Sequence, residues 1–461
     1  PDRIKDGYGL NQHLIDRAHE DGIDTIITCD NGIAAAKEIE YGKALGMTII
    51  VTDHHEVPYK ENEAVRRYIL PPADAVVDPR QEGCEYPFKG LCGAAVAYKL
   101  VEALCEANGQ DVADLDYLLE NVAIATVADV MDLTEENRIL VKQGLEMLKR
   151  TSNLGLRALI QCIGLEGKKI QAYHIGFILA PCLNASGKLD TAKRALALLR
   201  AKTEREADML AGDLKALNES RRDMTDRVVD EAMAKVEQTD IRGDKVLVIY
   251  LPDCHESLAG LVAGRVRENY YRPVFVLTDS EDGVKGSGRS IESYSMYEEL
   301  TGCGDLLTKF GGHPMAAGLS LDKENVEKFK RRLNDQCTLS EEELTEKVVI
   351  DMELPFAAIT EHFIEELEYM EPFGKGNTKP VFAARGVVMQ HVKIIGKNKN
   401  VAKATAIDAA GNRMEAICFH DAQEFAKQCE RNNGKMSITF YPGINEFRGE
   451  RQIQIVITHY R

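Results

Sequence analysis

Two apolar segments rich in β-branched residues each end in an aspartate, and this repetition constrains the fold more than any other feature. Residues 23–29, IDTIITC, run into Asp30, and residues 47–52, MTIIVT, run into the tripeptide Asp-His-His at 53–55. The stretch between them has helical periodicity and ends in a glycine. The pattern predicts a β-α-β unit, whose two strands must be parallel and joined by a right-handed crossover.

Polar side chains that follow neighbouring parallel strands are expected to share one edge of the sheet, where ligands bind in such folds. Asp30, Asp53, His54 and His55 meet this condition, and Asp129 lies in a later apolar stretch, ATVADVMDL. Carboxylates and imidazoles suit Mn²⁺ or Mg²⁺ better than they suit ions that prefer thiolates. Two such ions about 3.5–4 Å apart can activate a water and hold both reacting oxygens of a phosphate ester.

A plainer interpretation of the two aspartates is that each caps the helix or turn that follows it. For either aspartate alone, capping is the better explanation. The consecutive histidines beside Asp53 favour a metal site instead.

The chain has 461 residues, which is too long for one ordinary core and indicates two to four domains. Residues 203–237 contain no proline and one glycine, and their apolar spacing predicts one long amphipathic helix. A second α/β pattern follows it, and the tail is rich in short strands, as in a small barrel. The predicted segments are a parallel-sheet α/β domain at 1–200, a connecting helix at 201–238, a smaller α/β domain at 239–340 and a β-barrel at 341–461.

Charge and cysteine content exclude several classes of protein. The formal net charge is −17, which counts against a basic coat for non-specific duplex binding but leaves room for a local basic groove. The eleven cysteines form no C-x-x-C pair, which is typical of reduced thiols in a cytoplasm. No apolar run approaches the ~20 residues of a membrane span, and the sequence does not open on a signal segment.

Several further motifs could bind phosphate. GSGRS and GGHPMAAG combine backbone that an anion could approach with an arginine or a histidine. NASGK is either a phosphate contact or a cap before the next helix, and a loop histidine precedes a helix N-terminus in the second α/β domain. The candidate phosphate-binding residues are Asn184, Ser186, Lys188, His255, Ser287, Arg289, Ser290, Gly311, Gly312 and His313.

The tail interleaves aromatic and basic residues, in EPFGKGN and FYPGINEFRGERQ for example. On a small barrel this composition suits single-strand binding by base stacking and backbone attraction. Phe373, Phe440 and Phe447 could equally be core residues.

Six motifs in order, TCDNGI, VTDHH, ATVADVMDL, NASGK, GSGRS and GGHPMAAG, resemble the DHH phosphoesterase family. The resemblance implies a metal centre with Asp30, His54 and Asp129 as ligands, Asp53 ligating or orienting, and His55 at the scissile phosphate. It also implies a DHH-associated domain that grips the strand through Arg289 and His313, and a tail with an oligonucleotide-binding (OB) fold.

Motif order and the EPFGKGN tail are similar to the bacterial branch of this family that degrades single-stranded DNA from the 5′ end. That similarity implies a metal-dependent exonuclease that releases mononucleotides in DNA repair and recombination, with single-strand-binding protein and a helicase as partners. Two alternatives within the family are a phosphodiesterase for oligoribonucleotides or cyclic dinucleotides, and a non-catalytic DNA-binding subunit.

Two departures from the family pattern shape the expectations. An Asp-x-Asp motif that supplies further metal ligands should stand just before TCDNGI, and the chain begins after that point, so we expect a second ion and full activity to require it. Lys188 stands where the family usually has arginine. A point charge replaces a bidentate fork there, so we expect looser phosphate binding.

Overall fold

The computed structural model describes residues 9–62, 65–189, 192–281, 283–396, 399–419, 421–447 and 449–461, and it gives only the backbone at 61, 62, 65, 186–189, 447 and 450. The chain divides into two compact units, one of residues 1–180 with 348–461 and one of residues 181–347. Among the helices described, none combines the length and the apolar character needed to cross a bilayer.

The first part of the first unit is an α/β domain with a three-stranded parallel sheet in the order β1-β2-β5. Its strands are β1 (Thr25–Cys29), β2 (Thr48–Thr52), β3 (Tyr59–Asn62), β4 (Val65–Tyr68) and β5 (Ala75–Val77). Its helices are α1 (Gln12–Glu20), α2 (Ala36–Ala44), α3 (Gly93–Ala107), α4 (Leu119–Ala128), α5 (Glu135–Leu148), α6 (Leu154–Cys162) and α7 (Ala172–His174). The predicted β-α-β unit is therefore present as β1, α2 and β2.

Alternation along β2 explains how this sheet is held. Ile49 and Val51 are fully buried and pack with Ile15 of α1 and Ile39 of α2. Burial of each such side chain contributes about 1.5–3 kcal/mol, so the helices and the sheet stabilise one another. The strand ends are thereby fixed relative to the helices that follow them.

The second unit is an α/β domain built on a five-stranded sheet in the order β6-β7-β8-β10-β9. Its strands are β6 (Leu247–Tyr250), β7 (Val274–Ser280), β8 (Gly283–Arg289), β9 (Leu307–His313) and β10 (Ala316–Leu321). Its helices are α8 (Ala180–Leu189), α9 (Lys193–Leu199), α10 (Glu204–Gln238), α11 (Glu256–Tyr270), α12 (Met296–Thr301) and α13 (Val326–Gln336), with the first residue of α8 belonging to the first unit. The predicted long helix is α10, with 35 residues.

The tail returns to the first unit and forms a closed five-stranded barrel, because β12 pairs with both β13 and β15. Its strands are β11 (Met352–Glu353), β12 (Phe382–Ile395), β13 (Val401–Ile407), β14 (Arg413–Cys418), β15 (Lys435–Phe447) and β16 (Glu450–Tyr460), and its helices are α14 (Glu361–Glu368) and α15 (Ala422–Arg431). The fold class predicted from the sequence is confirmed.

The tail aromatics divide between core and surface. Phe440 is fully buried in the barrel core, so its ring cannot stack on a base. Phe373 is half-buried and packs edge-on against Tyr441, with 6.1 Å between ring centroids. The side chain of Phe447 lies outside the described residues.

EPFGKGN, at residues 371–377, docks the barrel against the α/β domain of the same unit. The amide of Leu133 donates to the carbonyl of Lys375 at 2.7 Å, and the Lys375 ammonium pairs with Asp132 at 3.1 Å. Arg138 donates to the carbonyl of Tyr369 at 2.7 Å. The motif therefore serves as a joint between the two parts, a role that composition alone does not reveal.

Helices α4 and α5 approach so closely that only glycine fits at one crossing point. A Cβ at Gly144 would lie 2.3 Å from the carbonyl oxygen of Leu119 and 2.5 Å from the Cβ of Ala123. Gly144→Ala is expected to lower the free energy of unfolding by about 1–3 kcal/mol, measured by urea denaturation, because the helices must separate. Gly212→Ala on α10, with nothing within 4 Å, is the matched control and should be neutral or slightly stabilising.

Candidate active site

Three parallel strands end at the same level, and each is followed by an aspartate. Cys29, Thr52 and Val77 are partners in register across β1, β2 and β5. The residues that follow them are Asp30, Asp53 and Asp78, so three carboxylates occupy one edge of the sheet. The third was not predicted, although the strand-like segment DAVVD at 74–78 carries the same signal.

Asp30, His54 and Asp129 come together at this edge. Nε2 of His54 lies 2.9 Å from Oδ1 of Asp30 and 3.6 Å from Oδ2 of Asp129. His55 joins the cluster, since one ligand atom each from Asp30, His54 and His55 all lie within 4.8 Å of one another. His54 is buried, whereas both aspartates are about half exposed and can be approached from solvent.

Backbone strain accompanies the two acids that flank His54. Asp30 has φ of 62°, and Val130, directly after Asp129, has φ of 56°. A positive φ is costly for any residue with a Cβ and most of all for a β-branched one such as valine. The fold thus holds both carboxylates by local conformations that relaxed loops would avoid.

The start of helix α3 packs directly on Asp30. A Cβ at Gly93, the first residue of α3, would lie 2.5 Å from both Cβ and Oδ1 of Asp30. Glycine at this position lets the helix N-terminus reach the carboxylate, where the helix dipole favours negative charge.

Asp53, predicted to be either a metal ligand or an orienting residue, makes hydrogen bonds that orient its neighbours. Its side chain is buried, with Oδ2 accepting from the amide of Ile33 at 3.0 Å and Oδ1 accepting from the amide of His54 at 2.8 Å. Nδ1 of His55 lies 2.6 Å from the same Oδ1. Burial would raise the pKa of Asp53, but the hydrogen bonds from Ile33, His55 and His54 outweigh it and hold that pKa below its ordinary value.

His54 is electrostatically matched to the acids around it. Burial alone would lower its pKa, but the hydrogen bond and charge of Asp30, with the charges of Asp129 and Asp53, raise it above the ordinary value. The two carboxylates therefore favour a positive charge at this position, such as a proton on His54. A divalent cation would satisfy the same acids by replacing that proton.

Asp129, which belongs to the apolar stretch ATVADVMDL, lies at the end of a helix. It is the C-cap of α4, where the macrodipole disfavours a negative charge. Burial raises the pKa of Asp129, His54 opposes that effect and repulsion by Asp30 adds to it. Such a carboxylate benefits strongly from a cation nearby.

Two buried polar atoms beside this cluster lack a hydrogen-bond partner among the described residues. They are Nδ1 of His54 and Oδ2 of Asp78, whose side chain is 2 % exposed. Burial raises the pKa of Asp78, and the charges of Asp53 and His54 also act on it. Metal-bound histidines are commonly oriented by a carboxylate acting on the second ring nitrogen, so Asp78 is a candidate for that role.

The arrangement fits a hard divalent cation. Oxygen or nitrogen ligands about 2.1 Å from an octahedral ion lie about 3 Å from each other when adjacent. The separation between Asp30 and His54 is of this size, and the carboxylate and imidazole set is the chemistry that Mn²⁺ and Mg²⁺ accept.

A second candidate surface lies on the sheet of the second unit. Arg289 on β8 and His313 on β9 both pair in register with Ala316 of β10, so their side chains share one face about 10 Å apart. Lys285 and Ser287 extend the same face along β8. The central strand, β10, contributes only the small side chains of Ala316, Gly318 and Ser320 to this face, so the space between Arg289 and His313 is open. This surface is called the open face below.

Residues within the two glycine-rich motifs divide between this face and the core. Gly311 pairs with Gly318 on the open face, and Gly312 has φ of 146°, which only glycine adopts readily. Gly286 and Gly288 point the other way, where a Cβ would collide with Leu277 or Met296. Glycine is therefore required at positions 286 and 288 by core packing and not by the approach of an anion.

Ser290 corrects the prediction of a phosphate contact. Its side chain is fully buried and donates a hydrogen bond to the carbonyl of Tyr294. It stabilises the turn after β8 and has no access to a ligand.

The remaining predicted residues lie on helices. Asn184 is exposed within α8, so NASGK is helical and does not form the cap and turn that were the alternative prediction. The side chains of Ser186 and Lys188 lie outside the described residues. His255 is the exposed N-cap of α11, and its ring accepts from the amide of Ser257. Its neighbour Glu256 pairs with Lys285 at 2.8 Å, which places this helix start at the border of the open face.

Comparison with protein-family models gives three matches along the chain. The DHH family N-terminal domain matches residues 2–126, the DHHA1 domain matches residues 243–339, and the RecJ OB domain matches residues 350–459. The candidate metal cluster, except Asp129, falls in the first match, and Arg289 and His313 fall in the second.

Curated relatives and solved structures agree with these matches. The single-stranded-DNA-specific exonuclease RecJ of Bacillus subtilis is 37% identical over 99% of this chain, and the RecJ of Escherichia coli is 33% identical over 99%. The chain spans 56% of the length of the first and 80% of the second. The crystal structure of Thermus thermophilus RecJ with Mn²⁺ superposes with a TM-score of 0.80 at 26% identity, over 98% of this chain and 63% of that one. The chain belongs to the RecJ family.

Proposed function

We propose that this chain carries the catalytic part of a metal-dependent exonuclease that hydrolyses single-stranded DNA from its 5′ end to mononucleotides, in DNA repair and recombination. The observation that carries the proposal is the Asp30, His54 and Asp129 cluster at the carboxyl ends of parallel strands. Relatives at 33–37% identity, named for single-stranded-DNA-specific exonuclease activity, support the substrate and the reaction.

Asp30, His54 and Asp129 would hold a Mn²⁺ or Mg²⁺ ion, and the solved RecJ structures with these ions support that choice. A bound ion of this kind lowers the pKa of water and neutralises phosphate charge. When the expected Asp-x-Asp motif is present, we propose a second ion.

His55 is assigned to the scissile phosphate. Asp53 fixes its Nδ1, which leaves Nε2 on the opposite side of a ring that is 58% exposed. An Asp-held imidazole donates a proton from a set direction, so it can stabilise developing negative charge on a phosphate oxygen.

The open face of the second unit is proposed to bind the backbone of the substrate strand. Arg289 has no acidic partner among the described residues, and burial and Arg267 lower its pKa, so it presents charge that an anion would compensate. Ser287, Gly311, Gly312, His313 and His255 would contribute contacts around it. Asn184, Ser186 and Lys188 of α8 are proposed as further phosphate contacts.

We propose domain boundaries at residues 1–200, 201–238, 239–340 and 341–461, for the DHH domain, the connecting helix, the DHHA1 domain and the OB domain. Helix α10 and the ranges of the three family matches support this division. A cytoplasmic location, with single-strand-binding protein and a helicase as partners, is proposed on the family resemblance alone.

The test is digestion of a 5′-labelled single strand with Mn²⁺, by the chain and by a form of it that also carries the expected Asp-x-Asp motif. Release of labelled mononucleotide that chelator stops, with no release from the same sequence as duplex, is the expected result. Equal digestion of both substrates would contradict the proposal. Faster turnover of oligoribonucleotides or cyclic dinucleotides would favour the phosphodiesterase alternative, and DNA binding without hydrolysis would favour the non-catalytic one.

A further inference from the structure

A two-stranded hairpin leaves the α/β domain directly after the DHH tripeptide. Among the strands that the structure describes, β3 and β4 pair only with each other, and the amide of Ile69 donates to the carbonyl of Pro58 at 2.7 Å to close the base. Val57, before the hairpin, is buried and anchors it. Lys60 follows His55 by five residues, so it lies within about 18 Å of that residue along the chain.

One face of this hairpin is occupied by its own aromatic residues. Tyr59 and Tyr68 are directly opposite in register and pack edge-on, with ring centroids 5.9 Å apart. Arg66 lies over the Tyr59 ring at 4.6 Å. Cross-strand aromatic and cation–π contacts of this kind stabilise a hairpin that no neighbouring strand supports.

The other face carries two like charges directly opposite each other. Lys60 and Arg67 are partners in register, both are exposed, and neither has an ion-pair partner among the described residues. Like charges at this spacing, about 5 Å between Cβ atoms, destabilise a two-stranded ribbon. The arrangement occurs in a chain with a net charge of −17, where acidic partners are plentiful. An external anion between the two side chains would relieve the repulsion.

We propose that the 59–68 hairpin is an additional substrate-binding element, in which Lys60 and Arg67 bind backbone phosphates of the single strand close to the cleaved linkage. This inference rests on the function proposed above. The contacts of the tyrosine face stabilise the pairing of β3 with β4, and the cationic face would follow the strand without reading its sequence.

The experiment measures binding of a fluorescein-labelled oligothymidylate by anisotropy, in chelator so that no cleavage occurs, across a series of KCl concentrations. The variant Lys60→Ala/Arg67→Ala is expected to bind roughly tenfold more weakly at low salt. The slope of log K against log salt should become shallower by about 1.4, because each phosphate that a cation no longer neutralises on a single strand reduces the slope by about 0.7. In the cleavage assay, KM should rise while kcat stays within about twofold.

A matched control removes the same charge elsewhere. Lys427 and Arg431 on α15 of the same unit are exposed and already pair with Glu424. Lys427→Ala/Arg431→Ala is expected to leave the salt slope unchanged. If the hairpin variant kept the affinity and the salt slope of the parent chain while the parent still bound and cut single strands, the hairpin inference would be wrong. The proposed function would not be affected by that result.

Two further outcomes separate this inference from the proposed function. A parent chain that neither binds nor cuts single strands would overturn both. If labelled polyglutamate bound in a manner that depends on Lys60 and Arg67 while oligothymidylate did not, the hairpin would be a site for an acidic protein segment, and the nucleic-acid inference would be wrong.

Discussion

His54→Ala is expected to abolish single-strand hydrolysis and to weaken Mn²⁺ binding by more than about 100-fold. The reason is that His54 is the one imidazole within 4 Å of both Asp30 and Asp129 in the described structure. Substitution of residues that hydrogen-bond to metal ligands already lowers metal affinity about 10–100-fold. Loss of His54, the proposed central ligand, is therefore expected to lower it further. Isothermal titration with Mn²⁺ measures the affinity directly, independently of turnover.

Because His54 is buried, its removal could unfold the domain, and a second variant guards against that. Asp30→Asn keeps the shape of an exposed side chain and removes one charge, so it should fold normally and still lose Mn²⁺ affinity. His362→Ala, at an exposed position on α14, is the matched control. Tight Mn²⁺ binding by folded Asp30→Asn and His54→Ala would show that the ion is held elsewhere.

Gly93→Ala is expected to reduce hydrolysis by about 100-fold, although Gly93 carries no functional group. Its new methyl group would lie 2.5 Å from the side chain of Asp30, a residue whose positive φ already restricts its conformation. A misplacement of about 1 Å in a catalytic site can cost about 100-fold. Turnover and Mn²⁺ affinity should fall together, because the displaced group is a proposed ligand.

Gly176→Ala provides the comparison for Gly93, since its Cβ would meet Val127 at 3.4 Å, in ordinary contact. Activity within about threefold of the parent is expected for it. Full activity and full Mn²⁺ affinity in Gly93→Ala would mean that α3 can move away, and that its start does not position Asp30.

The grouping of functional side chains at one edge of the sheet was predictable from the sequence. In parallel strands that end in register, the residues that follow the strands lie at the same edge. This geometry placed Asp30, His54 and His55 on the same edge and could have included Asp78, which follows a third strand. Strand order alone could not distinguish a ligand from an orienting residue at Asp53. That distinction depends on which amides reach each carboxylate oxygen, and the amide of Ile33 comes from a separate turn.

Glycine-rich motifs were harder to interpret, because glycine serves two purposes that look alike in a sequence. In β8, Gly286 and Gly288 make room for core side chains. Arg289 lies on the opposite side of the strand, next to α11, and belongs to the open face. The alternation of a strand separates these roles, but KGSGRS contains no apolar residue to show that it is a strand. Ser290 was misassigned for the same reason.

The joint formed by EPFGKGN has a consequence for how truncated forms of this protein behave. Asp129 and Leu133 are four residues apart, and Leu133 is tethered to the carbonyl of Lys375. Removing the barrel would therefore free the segment that carries Asp129, a proposed metal ligand, as well as remove a proposed DNA-binding surface. Weaker Mn²⁺ binding would by itself explain a loss of turnover in a tail-deleted form, even if DNA binding were unchanged. The Mn²⁺ affinity of such a form must therefore be measured before its kinetics are interpreted.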